Sequence, residues 1–300
     1  MRVIVSGGTG FIGRHLTERL RGEGVHVRVL TRRPDHARIA CPDCEILPWP
    51  EVSEPPDPRA LDGAQAVIHL AGEPVAGLWT RAKKQRMFAS RILGTRSLVT
   101  ALRASSPRPR VLVCASAIGY YGDRGDEELD EEAGSTSAFL SELCVAWEAE
   151  AQAAEEQGIR VAIPRIGIVL GRGGGALASM ERPFRLGLGG PLGKGRQWWS
   201  WILIDDLVSV LIAAMRGEIE GVHNAVAPAP RRQQEFAKVL GAHLGRPAFL
   251  KAPAPLLKAL TGGFSFELLS SKRVRPKRLE AEGFVFQAAT LEAALDRIYP

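Results

Sequence analysis

The turn Gly7-Gly8-Thr9-Gly10-Phe11-Ile12-Gly13 is entered from the apolar run Val3 to Val5 and leads into an amphipathic stretch, and it constrains this chain more than any other feature. At this spacing Gly7 permits a tight turn and Gly10 lets backbone amides approach a pyrophosphate. Gly13 lets the following helix pack closely, with its N-terminal dipole facing the anion. Such a triad carries weight only in context. Here Val3-Ile4-Val5 reads as a buried parallel strand, Phe11 to Arg21 carries apolar residues at Phe11, Ile12, Leu16 and Leu20, and a second strand, Val25 to Leu30, follows Gly22 and Gly24. The pattern predicts one βαβ unit built as a nucleotide pyrophosphate cradle, with Thr9 inside it.

The end of the second strand selects among dinucleotides. An NAD-selective site places an Asp or Glu there to accept from the ribose 2′-hydroxyl, whereas a 2′-phosphate needs positive charge and donors. This chain has Thr31-Arg32-Arg33, and no carboxylate until Asp35. Two guanidiniums and a hydroxyl suit a phosphomonoester, so the expected cofactor is NADP(H). The alternative is that one or both arginines are merely solvated loop residues.

Three hundred residues at 45% hydrophobic content are enough for one large domain or a main domain with a smaller lobe. The first strand begins at residue 2 and no apolar run approaches the roughly 20 residues that span a bilayer, so a cytoplasmic protein without membrane contact is expected. The net charge of +6 is dispersed. Its one concentration, Lys272-Arg273-Val274-Arg275-Pro276-Lys277-Arg278, reads as a solvated surface, or a dimer or substrate rim, in preference to a nucleic-acid site. Cys41-Pro42-Asp43-Cys44 has no second pair at zinc spacing, so all four cysteines are expected to be free thiols and no metal is expected. The six histidines form no ligand cluster, and His69 is expected to be a satisfied buried histidine.

Strand and helix patterns alternate onward: strands at Cys44 to Trp49, Ala66 to Leu70, Val111 to Ala115 and Arg160 to Pro164, helices over about 80 to 104 and 137 to 157. This predicts an α/β fold, a Rossmann-like doubly wound parallel sheet with a smaller C-terminal substrate lobe. The expected division is a cofactor domain over 1–165, with about 205–227 packing on it, and a lobe over 166–300. Gly171 to Gly175 and Leu186 to Arg196 are glycine-rich and basic, which reads as loops over a site. Val222 to Val226 is a short strand, and residues beyond about 232 are mainly helical. Trp198, Trp199 and Trp201 read as packing residues, with a stacking wall for a planar substrate as the alternative.

Several motifs together carry a resemblance. Gly7 to Gly13, His69-Leu70-Ala71-Gly72, Ser116-Ala117-Ile118-Gly119-Tyr120-Tyr121-Gly122 and Trp201-Ile202-Leu203-Ile204-Asp205-Asp206 resemble the extended short-chain dehydrogenase/reductases. Ala71-Gly72-Glu73-Pro74, Pro183 to Pro191 and Pro276 to Phe284 are similar, more narrowly, to an atypical epimerase-family branch with a C-terminal domain of unknown function. The resemblance implies a Rossmann-like NADP-binding core in which Leu70, Ala71 and Gly72 pass beside the adenosine ribose and pyrophosphate. It also implies a cofactor-facing Arg91, and a segment from Gly167 to Val169 flanking the nicotinamide.

In the short-chain dehydrogenases a Tyr supplies the proton, its phenol activated by a Lys one helical turn away, and a Ser or Thr orients the substrate oxygen. The corresponding helix here reads Phe139-Leu140-Ser141-Glu142-Leu143, so that pair is missing. What remains near the expected nicotinamide is Ser116, Tyr120, Tyr121 and Glu73, with the basic loop residues Arg185, Lys194 and Arg196. The expected assignment has Ser116 orienting substrate, Tyr120 or a water donating the proton, and Arg185 or Arg196 clamping an acidic group. The opposing reading makes Tyr121 a turn residue, Glu73 a cap or cofactor acceptor and the arginines surface charges. Two function classes follow: an NADP(H)-dependent oxidoreductase or epimerase acting on a small-molecule substrate, or a noncatalytic NADP(H)-sensing regulatory protein. A homodimer is an alternative to a monomer for either.

Overall fold

Side chains along a strand alternate between the two faces of its sheet, and in this chain both faces are apolar. In the computed structural model, which describes residues 1–300, seven strands form the central sheet. They are β1 (Arg2–Ser6), β2 (His26–Thr31), β3 (Glu45–Pro48), β4 (Ala66–His69), β5 (Val111–Cys114), β6 (Arg160–Ile166) and β7 (Gly221–Ala225). Their spatial order is β7-β6-β5-β4-β1-β2-β3, and every neighbouring pair is parallel. The short segment Ser116–Ala117 extends the pairing along β6.

Val3 and Val5 face one core and Ile4 the other, and the same division separates Ile68 from Val67 and Val113 from Leu112. Against the first core lie α1 (Phe11–Gly22) and α7 (Ile204–Arg216); against the second lie α4 (Gly94–Ala104) and α5 (Phe139–Gln152). This is the doubly wound α/β architecture. The order reverses at β1, so a crevice opens beyond the carboxyl ends of β1 and β4, where ligands of such sheets bind.

The helix expected over about 80 to 104 is three segments: α3 (Arg81–Phe88), a π-helical turn over Ala89–Leu93, and α4. Wide turns of this kind recur at functional positions, and this one carries Arg91. The helix α2 (Pro34–Ala40) follows β2, and α6 (Gly175–Arg185) follows the glycine-rich segment after β6.

A third core, around Trp201, Phe236, Leu291 and Leu295, builds the C-terminal region. Trp201 is fully buried, and its indole N–H donates to the Ala229 carbonyl at 3.1 Å. Trp199 is buried as well, while Trp198 is flanked by the guanidiniums of Arg232 and Arg273. Two buried oxygens tie this region to the sheet: the Asp206 carboxylate accepts from the amides of Gln287 at 2.7 Å and Ala288 at 3.2 Å.

The basic run from Lys272 to Arg278 corrects an expectation. It is only in part a solvated surface: Lys277 is exposed, yet every cation in the run has an acidic partner in the chain. Lys272, 6% exposed, pairs with Glu267; Arg273 pairs with Glu128, Arg275 with Glu280, Lys277 with Asp130 and Arg278 with Glu132. Val274 is fully buried in a parallel bridge to Leu129, so the run straps residues 128–132 to the C-terminal region.

Replacing Asp206 with Ala orphans the buried Ala288 amide and the part-buried Gln287 amide, so a loss of about 1–3 kcal/mol is expected. Thermal unfolding checks this; a midpoint equal to that of the parent chain would contradict it.

Candidate functional site

The glycine-rich turn lies at the carboxyl end of β1, against the segment that follows β4. A Cβ at Gly7, whose φ is +73°, would sit 2.7 Å from the Leu70 carbonyl carbon. A Cβ at Gly13 would sit 2.2 Å from the Gly7 carbonyl oxygen. No carbon fits at either position, which is why α1 starts so close to the sheet. Gly10 caps α1 without a side chain, and the Arg14 amide is the first to return to it. The amides of Phe11, Ile12 and Gly13 therefore point out of the helix start with no acceptor in the chain. Three free N–H groups on the positive end of a twelve-residue helix suit a diphosphate.

At the carboxyl end of β2, next to β1, the Arg33 amide donates to Thr31 Oγ1 at 3.1 Å. Both Arg32 and Arg33 are exposed, and the nearby Asp35 is taken by Arg38 at 2.6 Å. The guanidiniums are therefore unneutralised. These residues fit an NADP-type dinucleotide by charge and by shape.

Five more of the expected cofactor positions adjoin this cradle. Leu70 and Ala71 are held to β1 through the Ser6 carbonyl and hydroxyl. A Cβ on Gly72 would touch the Arg91 guanidinium at 3.2 Å, and Arg91 donates to the Glu73 carbonyl at 3.0 Å while lying over the Trp147 ring. Val169 borders Gly175 and the Phe11 ring. Glu73 differs from its expected role as a cofactor acceptor, because its carboxylate is already shared by Lys83 at 3.2 Å and Arg86 at 3.1 Å. Those two cations hold it below the usual carboxylate range against the upward pull of partial burial.

Beyond the ends of β5 and β6 lies a buried polar network that sequence reasoning missed. Arg165 of β6 and Glu148 of α5, 4% and 6% exposed, make a two-pronged ion pair at 3.0 and 2.9 Å. Arg165 also donates to the Tyr121 hydroxyl at 3.0 Å, and that hydroxyl donates to Asn224 at 2.7 Å. Burial pushes the Tyr121 phenol up to about 12. The signal was present in the sequence: Glu148 falls on the apolar side of α5 with Leu140, Cys144, Trp147 and Ala151, and Arg165 interrupts a strand of buried residues. A charge on a buried face asks for an opposite partner.

Ser116 and Tyr120 both join this network. The Ser116 hydroxyl donates to Glu148 at 2.6 Å and is 3% exposed, so its proton is already spent and only its lone pairs remain for a substrate. Tyr120 is half-buried; its ring lies 3.4 Å from the Arg165 guanidinium carbon, and its backbone carbonyl accepts from Ser141. Phe139 and Leu143 instead line an apolar cluster with Trp79, Met87 and Ile92, where neither can deliver a proton.

The expected clamps are not equivalent. Arg185 is exposed and paired with Glu181 one turn earlier in α6 at 2.6 Å, as the surface-charge reading expects. Arg196 is exposed on an open polar pocket shared with Asp123, Asp126, Lys194 and Arg232.

A model of the NAD dependent epimerase/dehydratase family matches residues 3–226. The chain belongs to that family. A second model, a domain of unknown function (DUF1731), matches residues 252–298. Among relatives, the epimerase family protein SDR39U1 of Homo sapiens is 37% identical over 304 residues, spanning 99% of either chain. The chloroplastic SDR39U1 homolog of Arabidopsis thaliana is 40% identical, spanning 99% of this chain and 86% of its own. The crystal structure of human SDR39U1 (isoform 2) with NADPH has a TM-score of 0.90 and 35% identity, covering 100% of this chain and 99% of that one. A nucleoside-diphosphate sugar epimerase from Corynebacterium glutamicum has a TM-score of 0.80 and 32% identity, covering 100% and 58%. The resemblance to the epimerase-family branch thus holds along the whole chain. No helix of this family member is long and apolar enough to cross a membrane.

Two predictions follow from the buried groups. Glu148→Leu strands a buried guanidinium and should cost about 3–5 kcal/mol, while Glu148→Leu with Arg165→Met should recover most of that loss; urea unfolding of both variants measures it, and equal losses would contradict the pairing. His69 lies beside the cradle with Nδ1 2.6 Å from Ser6 Oγ and Nε2 without a partner, so it is only half satisfied. Burial depresses His69 and His223 to about 4 each. Both stay neutral in the folded chain while the unfolded imidazoles, near 6.5, take up protons. This source of stability is complete above pH 6.5 and is lost as pH falls toward 4. Urea midpoints should fall across that window, and a flat profile would refute it.

Proposed function

We propose that the chain is an NADP(H)-dependent oxidoreductase or epimerase-like enzyme of the cytoplasm. Its substrate is a small polar molecule held between the sheet and the C-terminal region, and it works without the Tyr-xxx-Lys pair of its superfamily. The observation that carries the cofactor reading is the pair of unneutralised guanidiniums at Arg32 and Arg33 beside three acceptor-less amides. The human relative crystallised with NADPH supports it. Gly7, Thr9 and Gly10 to Gly13 would hold the pyrophosphate, Thr31, Arg32 and Arg33 the 2′-phosphate, and Leu70 to Glu73, Arg91 and Val169 would line the cofactor's path.

Bound NADP(H) would supply hydride transfer. The chain must then supply a proton for the developing alkoxide, and Tyr120 is the group we assign to it. Its ring stacks on Arg165, a cation fixed by Glu148, and that contact holds the phenol in one place. Ser116, its own proton committed to Glu148, would accept from a substrate hydroxyl and so orient it. Arg196 is the remaining candidate to meet an acidic substrate group.

A second reading rests on that same commitment of Ser116: a hydroxyl locked into a buried ion pair suits a noncatalytic NADP(H) sensor as well. Turnover separates the two. Tyr120→Phe keeps the ring and removes the proton, so NADPH oxidation with a substrate found by metabolite screening should fall by about a hundredfold or more while NADPH affinity is unchanged; unaltered turnover would eliminate Tyr120.

For the cofactor, calorimetric titration should give tighter binding for NADPH than for NADH. Arg32→Ala with Arg33→Ala should weaken NADPH by about tenfold or more and leave NADH nearly unaffected. Equal affinities of the parent chain for both would overturn the assignment.

A further inference from the structure

The CxxC segment, set aside in the sequence for want of a second pair, lies directly against the glycine-rich turn. Cys41 closes α2 through its amide, which donates to Ala37 at 2.8 Å, and its thiol reaches back to the Gly8 carbonyl at 3.6 Å and to Thr17 of α1 at 4.0 Å. Cys41 is 4% exposed and Cys44 only partly buried. The Cys44 amide donates to the Cys41 carbonyl at 3.1 Å, which closes a tight turn over the two cysteines. In a turn of this type the first and last Cα atoms lie under about 7 Å apart, overlapping the separation that a disulfide requires. Asp43, between the cysteines, is anchored to Arg21 of α1 at 2.5 Å, so the turn is fastened to the same helix that begins at the cradle. The other two thiols, Cys114 and Cys144, are buried elsewhere.

We propose that Cys41 and Cys44 are a modification site: a dithiol that closes reversibly to a disulfide by exchange with a low-molecular-weight disulfide such as oxidised glutathione, and whose closure loosens the glycine-rich turn. The more accessible Cys44, as thiolate, attacks the glutathione disulfide and expels one glutathione thiolate, which takes up a proton. Cys41 then gives its proton to the second glutathione as it displaces that group from Cys44. Two protein thiols are oxidised and one glutathione disulfide is reduced to two thiols. Once oxidised, Cys41 has no S–H left to donate to the Gly8 carbonyl, so closure removes a contact that holds the turn in place.

The groups facing Cys44 are Cys41, Arg21 and Asp43; burial, with Cys41, raises its thiol to about 11. No thiolate is favoured at neutral pH, so the open form gains nothing from ionisation, and exchange is slow there and faster in alkali.

The weakening of cofactor affinity rests on the NADP(H) reading, whereas disulfide formation does not. Tryptic cleavage after Arg38 and Arg59 yields one peptide holding both cysteines and no other. The full chain is equilibrated at pH 8 against graded ratios of oxidised to reduced glutathione, alkylated and digested, with NADPH titrated into parallel samples. The expected result is a peptide about 2 Da lighter that takes no alkylating agent and is restored by dithiothreitol. Oxidised protein should bind NADPH at least threefold more weakly, an effect absent in Cys44→Ser. A peptide that stays doubly alkylated at every ratio, or an unchanged NADPH affinity once the disulfide is closed, would overturn the proposal. Reduced protein with no affinity for NADPH would instead refute the cofactor reading, and the peptide mass would still decide the dithiol.

Discussion

The structure depends on a distance: at Gly13 the first turn of α1 comes so near the carbonyl of Gly7 that one methyl group would collide with it. Everything at the open end of the sheet follows from that approach. With no side chain to cap it, α1 presents its first amides bare, and the dipole of a three-turn helix is added to theirs. The backbone itself becomes the binding group, which frees Thr31, Arg32 and Arg33 on the neighbouring strand to set the choice of dinucleotide. The positive φ at Gly7 is needed to turn the chain back toward Leu70, so two glycines accomplish what no combination of larger residues can.

A second constraint is electrostatic. The Glu148 and Arg165 pair is buried beyond the ends of β5 and β6, and buried ion pairs add little to stability compared with an apolar pair of the same size. The pair acts by positioning: one guanidinium fixes Tyr121 by a hydrogen bond and Tyr120 by stacking, while the carboxylate fixes Ser116. Three side chains that the sequence offers as separate candidates are in fact attached to one pair of charges.

Much of this was legible from the residues. The strands announced themselves by short apolar runs, and the cradle by three glycines between a strand and an amphipathic stretch, because these are local signals of backbone geometry. The wide turn around Arg91 was not legible: Gly94 at its end is a weak helix former, but one glycine does not announce an extra residue per turn, which is a tertiary accommodation. The same holds for Lys272 to Arg278, which looks like a solvated patch in one dimension. Its partners Glu128, Asp130 and Glu132 lie about 145 positions earlier, beyond the reach of any periodicity. Glu148 and Arg165 could have been suspected singly, each as a charge on an apolar face, but only the fold makes them neighbours. Glu73 and Arg185 each look available when a motif is read alone, and nothing in the motif shows the cations or the glutamate that pair with them.

Phe11 links two parts of the molecule that the chain keeps far apart. Its ring occupies the space that side chains would need at Gly171, Gly174 and Gly175, so the opening residue of α1 is wedged into the segment that launches α6. The side of the ring that faces these three glycines has no room for a larger residue at any of them. Two glycine-rich segments about 160 residues apart in the chain are thereby fitted around one aromatic ring, and a methyl group added to the second would press on the residue that opens the first helix.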